Sequence, residues 1–133
     1  MNKISPKKLN LIIQKSFVFL KIKKGYTDIH LVPEKEIQRL NKTFRGKDKP
    51  TNVLSFQYPS FFPQPKKGKK FLGEIYLCPK YIRDHKENIE FMTIHGLLHL
   101  LGFDHVKYSD RMRMERLEKR LRALYERSES TKP

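Results

Sequence analysis

The chain is predicted to fold as one α/β (α+β) domain in which helices pack on a small sheet. Three observations point there. Strand-like segments alternate with helix-like ones along the whole chain, with no internal repeat and no linker between them. At 133 residues the chain suits one core rather than two. Hydrophobic residues make up 38% of it and aromatic residues 11%, enough to bury that core.

Each element has its own signal. Ser5-Pro6 reads as an N-cap followed by proline in the first helical turn. Leu9, Ile12, Ile13, Phe17 and Leu20 then recur at helical spacing, and Gly25 is expected to stop that helix. Tyr26 to Val32 alternates as a strand, with Thr27, Ile29 and Leu31 on one face and Tyr26, Asp28 and His30 on the other. Pro33 opens a second helix, whose Glu34 and Glu36 favour the positive end of the dipole and whose Ile37, Leu40 and Phe44 form its apolar face. The segment Arg45 to Pro50 is a polar loop, Val53 to Phe56 a short strand, and residues 59–70, with three prolines, Gly68 and four lysines, a basic loop. Phe71 to Cys78 resumes a strand that Pro79 ends, and residues 79–88 form a weakly patterned helix. Ile89 to Leu101 is a mostly apolar helix closed by Gly102. Ser109 to about Arg127 is an amphipathic helix burying Met114, Leu117, Leu121 and Leu124, ahead of a tail at 128–133 expected to fray.

Charge narrows the function classes. The chain has 29 Lys+Arg against 14 Asp+Glu, a formal net charge of +15. Residues 1–50 alone hold 13 basic and 4 acidic side chains, so the excess is concentrated in the N-terminal part. Such an imbalance fits a polyanionic partner, RNA or DNA, although a merely solubilising surface would also show it. No apolar run reaches the roughly 18 residues that a membrane span needs. Met1 to Pro6 leads into lysines rather than an apolar signal core, and the single cysteine, Cys78, can form no internal disulfide. A cytoplasmic protein with no membrane partner is expected, with Cys78 a small buried residue.

The stretch His95-Gly96-Leu97-Leu98-His99-Leu100-Leu101-Gly102-Phe103-Asp104-His105 carries the chemistry. His95 and His99 lie four apart on the central helix, so both imidazoles share one face and can chelate one ion. On a continuous helix His105 would sit about 15 Å from His95 along the axis, out of reach. Gly102 can adopt the left-handed conformation that ends a helix and turns the chain back, offering His105 as a third ligand. Three neutral imidazoles suit one Zn²⁺ per chain and leave a fourth position for water, as in catalytic rather than structural zinc sites. The spacing is that of the metzincin protease pattern, except that Gly96 occupies the place of the general-base glutamate. Peptide hydrolysis by that route is therefore disfavoured. Asp104 could serve as an acid/base, orient a ligand or cap the turn after Gly102. His30 and His85 have no comparable context and read as ordinary structural histidines.

Together with Arg45-Gly46-Lys47-Asp48-Lys49-Pro50-Thr51-Asn52-Val53-Leu54-Ser55-Phe56 and Leu72-Gly73-Glu74-Ile75, the histidine stretch resembles the bacterial YbeY family of zinc endoribonucleases, over about residues 26–125. The resemblance implies a single domain with about four strands flanked by helices, the first strand falling in Met1 to Ser5. It also implies a metal-dependent, single-strand-specific RNase. Its implied tasks are late ribosomal RNA maturation, at the 3′ end of the small-subunit RNA, and ribosome quality control, with ribosomal RNA and ribosomal proteins as partners. Arg45 corresponds to an arginine that the family places in the cleft facing the metal, and its planar guanidinium suits bidentate phosphate binding. Glu74 stands where the family usually has aspartate.

Lys47 and Lys49 are further candidates for phosphate contacts. So are Lys66, Lys67, Lys69 and Lys70, which flank Phe61-Phe62 in a loop whose composition fits either single-strand RNA stacking or plain surface. Two other functions compete: a non-catalytic ribosome- or RNA-binding module with a structural metal, and a zinc peptidase.

Overall fold

The computed structural model describes residues 5–103 and 108–130, with the backbone alone for 108–110 and 127–130. The elements run α1 (Pro6–Phe19), β1 (Gly25–Leu31), α2 (Glu34–Arg45), β2 (Val53–Gln57), β3 (Lys70–Leu77), α3 (Pro79–Asp84), α4 (Ile89–Leu100) and α5 (Tyr108–Ser130). The described strands form one mixed sheet in the order β1-β3-β2, with β1 parallel and β2 antiparallel to β3. Mixed pairing follows from the connections: a helical crossover through α2 precedes β2, whereas β2 returns through the 59–70 loop into β3. The expected strand in Met1–Ser5 falls almost wholly outside the described residues.

Pleating divides the sheet into two faces. Ile75 and Leu77 of β3 meet Ile94, Leu97 and Leu98 of α4, with Leu9, Ile13 and Phe17 of α1 and Met114 and Leu121 of α5 completing the main core. On the opposite face Ile37 and Leu40 of α2 cover Leu54 and the fully buried Cys78. The helix α4 is thus central, enclosed by sheet, α1 and α5, which is why its sequence is apolar almost all round.

Several local expectations change. Ser5 occupies the N-cap position of α1, but its side chain makes no capping hydrogen bond; its carbonyl accepts from Lys8 and Leu9 instead. The helix ends at Phe19, well before Gly25. Lys21, at φ 59°, takes the left-handed position, while the Ile22 N–H donates to Phe17 O and the Lys21 N–H to Val18 O. A Schellman closure built on lysine carries no glycine signal. Gly25 instead opens β1, where a Cβ would meet Ile22 Cγ2 at 2.9 Å. Phe44 is 59% exposed, lying edge-on to Phe56 rather than in the core. The helix expected over 79–88 stops at Asp84, and α5 continues to Ser130, past its expected end near Arg127. No helix among the described residues is long and apolar enough to cross a membrane.

Candidate functional site

The site begins with the way α4 is capped and seated. Asn88 accepts the Phe91 N–H at 2.9 Å and fixes the start of the helix. At the other end the Phe103 N–H donates to Leu98 O and the Gly102 N–H to His99 O, with Gly102 at φ 94°. This is the glycine closure that the sequence predicts. Gln57 of β2 donates its side-chain amide to the carbonyls of His99 and Leu100, at 3.4 and 3.2 Å, reaching the Leu100 acceptor at the helix end and adding a second donor to His99 O. Midway, the Ser55 hydroxyl donates to Gly96 O at 2.8 Å.

On this frame His95 and His99 project to the same side. Their Nε2 atoms lie 3.0 Å apart, with the rings nearly edge to face. Two imidazoles sharing one Zn²⁺ at about 2.0–2.1 Å in tetrahedral geometry would hold their nitrogens roughly 3.3 Å apart, so this pair is already spaced as two ligands of one ion. His105 and Asp104 lie outside the described residues.

Behind His95 stands a residue that the sequence did not single out. Glu118 of α5, only 9% exposed, places Oε1 3.2 Å from His95 Nδ1, and its Oε2 accepts from Arg122 Nη2 at 3.1 Å. The Arg122 guanidinium rests over the Phe91 ring, 4.5 Å from its centroid. A carboxylate on Nδ1 selects the tautomer whose Nε2 lone pair faces outward, the form a metal requires. Glu118→Gln is expected to weaken metal binding by about 10–100-fold while leaving the fold intact, measured by metal titration with circular dichroism as control. Unchanged affinity would remove Glu118 from the positioning role.

An open cleft of about 980 Å³ lies in front of the histidines, between α4 and the edge of β2. Its walls include His95, His99, Gly102, Ser55, Arg45 and Lys47. Arg45 is the last residue of α2, which Gly46 ends in a left-handed conformation at φ 71°. One guanidinium nitrogen donates to Ser55 O at 2.8 Å, and the group lies over the Phe56 ring at 5.2 Å. The guanidinium is thereby tethered to the same strand that supports Gly96. Lys49 lines a neighbouring hollow that shares Arg45 and Lys47 with the cleft.

Lys66, Lys67, Lys69 and Lys70 are exposed but are not among the residues lining the cleft. Lys66 instead lies over the Tyr26 ring at 5.2 Å. Phe61 is 82% exposed and Phe62 packs edge-on to Tyr58. Cys78 is buried beneath α2, as expected, away from the cleft walls. His85 stacks on Tyr81, also in keeping with a structural role. His30 has a partner on the next strand: Glu74 Oε1 is 3.2 Å from its Nε2.

The chain is similar to known proteins in sequence and in fold. The sequence profile described as Endoribonuclease YbeY matches residues 2–126. The chain is 40% identical over 98 residues to Endoribonuclease YbeY of Pseudoalteromonas translucida, covering 68% of this chain and 62% of that protein. It is 42% identical over 103 residues to the Endoribonuclease YbeY of Vesicomyosocius okutanii, covering 71% and 69% respectively. With that of Buchnera aphidicola the figures are 34% over 117 residues, covering 80% and 71%. The solution structure of TM1509 from Thermotoga maritima is similar in fold, with a TM-score of 0.53 at 26% identity, covering 99% of this chain and 93% of that one.

Proposed function

The chain belongs to the YbeY family, and on that premise we propose that it is a metal-dependent, single-strand-specific endoribonuclease acting in late ribosomal RNA maturation, at the 3′ end of the small-subunit RNA, and in ribosome quality control. The observation that carries this reading is one cleft lined by two facing imidazoles and a tethered guanidinium, His95, His99 and Arg45. The names of the relatives support endoribonuclease activity. The ribosomal task, the ribosomal partners and the cytoplasmic location follow the family resemblance.

His95 and His99, with His105, would hold one Zn²⁺. When bound, the ion would supply Lewis acidity and lower the pKa of water toward about 7. The protein's own residues do the rest. Glu118 holds His95 in the ligating tautomer, and Gln57 fixes the carbonyl end of the helix that carries both imidazoles. Arg45, held by Ser55 O and Phe56, offers its remaining N–H edge to a phosphate, where it would offset charge developing on the non-bridging oxygens. Lys47 on the cleft wall, Lys49 in the adjoining hollow and the basic loop at Lys66, Lys67, Lys69 and Lys70 would hold the RNA backbone farther out. Asp104 is the proposed acid/base beside His105.

The test is cleavage of ribosomal precursor RNA by the zinc-loaded full chain, with the product ends mapped. A free 3′-hydroxyl would identify attack by water, and a 2′,3′-cyclic phosphate attack by the ribose hydroxyl. RNA left intact across several metals and salt concentrations would overturn the proposal. Arg45→Lys is expected to lower turnover by about 10–100-fold, because a single ammonium cannot reproduce both the tether and a bidentate phosphate contact. Near-normal turnover with the fold intact would reject that role.

A further inference from the structure

We propose a second divalent-cation site formed by Asp28, His30 and Glu74 on the face of the sheet opposite α4, suited to zinc, cobalt or manganese. The parallel register of β1 and β3 pairs Asp28 with Glu74 and His30 with Tyr76. Successive side chains alternate between faces, so Asp28, His30, Glu74 and Tyr76 all emerge on one side, while Ile29, Leu31, Ile75 and Leu77 enter the main core on the other. One donor atom from each of Asp28, His30 and Glu74 lies within 4.8 Å of the other two.

The strand framework gives this group more definition than an acidic patch has. His30 stacks on the Tyr76 ring with centroids 4.5 Å apart, which sets the imidazole plane and turns Nε2 toward Glu74. The Tyr76 hydroxyl donates to the other Glu74 oxygen at 3.4 Å, so both partners are held by one aromatic side chain. The separation of 3.2 Å between His30 Nε2 and Glu74 Oε1 is close to the roughly 3.3 Å between neighbouring donors around tetrahedral zinc. Asp28 is exposed and can swing the remaining distance by rotating its side chain. One imidazole with two carboxylates is a borderline-to-hard donor set, which excludes a soft cuprous ion.

The surrounding charge favours a cation too. In a chain of net charge +15, this face sets Asp28 and Glu74 beside Tyr76, with Glu36 paired to Arg39. Burial and then the nearby carboxylate Glu74 raise the Tyr76 pKa above its ordinary value, with Glu36 and Asp28 adding to the effect. The cation facing this group from α2, Arg39, is engaged by Glu36. Lys66 lies farther along β1, over Tyr26. An ion here would tie β1 to β3 and stabilise the fold by mass action.

The experiment is titration of the chelator-treated full chain with Zn²⁺ alone, followed by calorimetry and by the thermal midpoint, for wild type, His30→Gln, Asp28→Asn and His99→Ala. Two equivalents in wild type are expected, one each in His30→Gln and His99→Ala, and at least a tenfold weaker second site in Asp28→Asn. His30→Gln should also lose the part of the zinc-induced thermal shift that His99→Ala retains. One equivalent in wild type that survives His30→Gln, or two equivalents in His30→Gln, would overturn this site. One equivalent lost in His30→Gln and kept in His99→Ala would uphold it and remove the metal from the cleft, so the two readings fail separately. Should His30→Gln not fold, Asp28→Asn, an exposed position, decides on the same readouts.

Discussion

His99→Ala is expected to lower RNA cleavage by about a thousandfold or more, equivalent to roughly 4 kcal/mol of lost transition-state stabilisation. Its bound metal in the cleft should fall below a tenth of the wild-type amount. The imidazole removed is one of two whose Nε2 atoms lie 3.0 Å apart, and its loss would leave two of the three proposed ligands and break the chelating pair on the helix. The fold should survive, because the position is only partly buried near the end of α4 and alanine is the best helix former available. Binding of RNA should persist and remain salt-sensitive, since the basic side chains are untouched. Three measurements on one preparation check this: metal content, cleavage rate and circular dichroism. Cleavage at the wild-type rate with the metal gone would leave the chain a nuclease of another kind. Binding without cleavage in wild type as well would leave it an RNA-binding module.

The parts of this site that were legible in the sequence are those fixed by short-range geometry. A spacing of four on a helix places two imidazoles together, and Gly102 closes that helix through the two hydrogen bonds expected of it. Arg45 lines the same cleft as the two histidines. What stayed hidden depends on packing between distant segments. Glu118 is 23 residues from His95 and looks like any polar position of an amphipathic helix until α5 is laid against α4. The pairing of His30 with Glu74 spans 44 residues and is decided by the register of two parallel strands. The alternation along β1 did put Asp28 and His30 on one face, and Glu74 alone was the missing partner. At the end of α1 the signal was misleading: Lys21 does what glycine usually does, while Gly25 is required for close packing.

Gly96 joins these two kinds of information, and Gly96→Glu is expected to destabilise the protein by more than about 4 kcal/mol. Read from the motif, Gly96 is a missing catalytic base; read from the packing, it is the point where α4 is seated on the sheet. A Cβ at this position would lie 3.0 Å from both Ile75 Cγ2 and Val53 Cγ2 and 3.1 Å from Ser55 Oγ. Ile75 is fully buried, and the Ser55 hydroxyl is committed to Gly96 O, so neither yields without moving β2 or β3. A methyl group alone calls for shifts of a few tenths of an ångström, and the better helix propensity of alanine, about 1 kcal/mol, offsets part of that cost. Gly96→Ala should therefore fold with a modestly lowered thermal midpoint. Glutamate adds a further methylene and a carboxylate beyond that methyl, against Ile75, Val53 and the already committed Ser55 hydroxyl, and the desolvation penalty is added to the overpacking. For a domain of this size the expected drop in midpoint exceeds roughly 10 °C. Peptidase activity should not appear, because the side chain would displace the very contact that holds His95 and His99 in place. Thermal unfolding of the two variants beside wild type checks the argument. A Gly96→Glu protein as stable as wild type would show that the close approach of α4 to β2 and β3 is not what fixes the histidine helix.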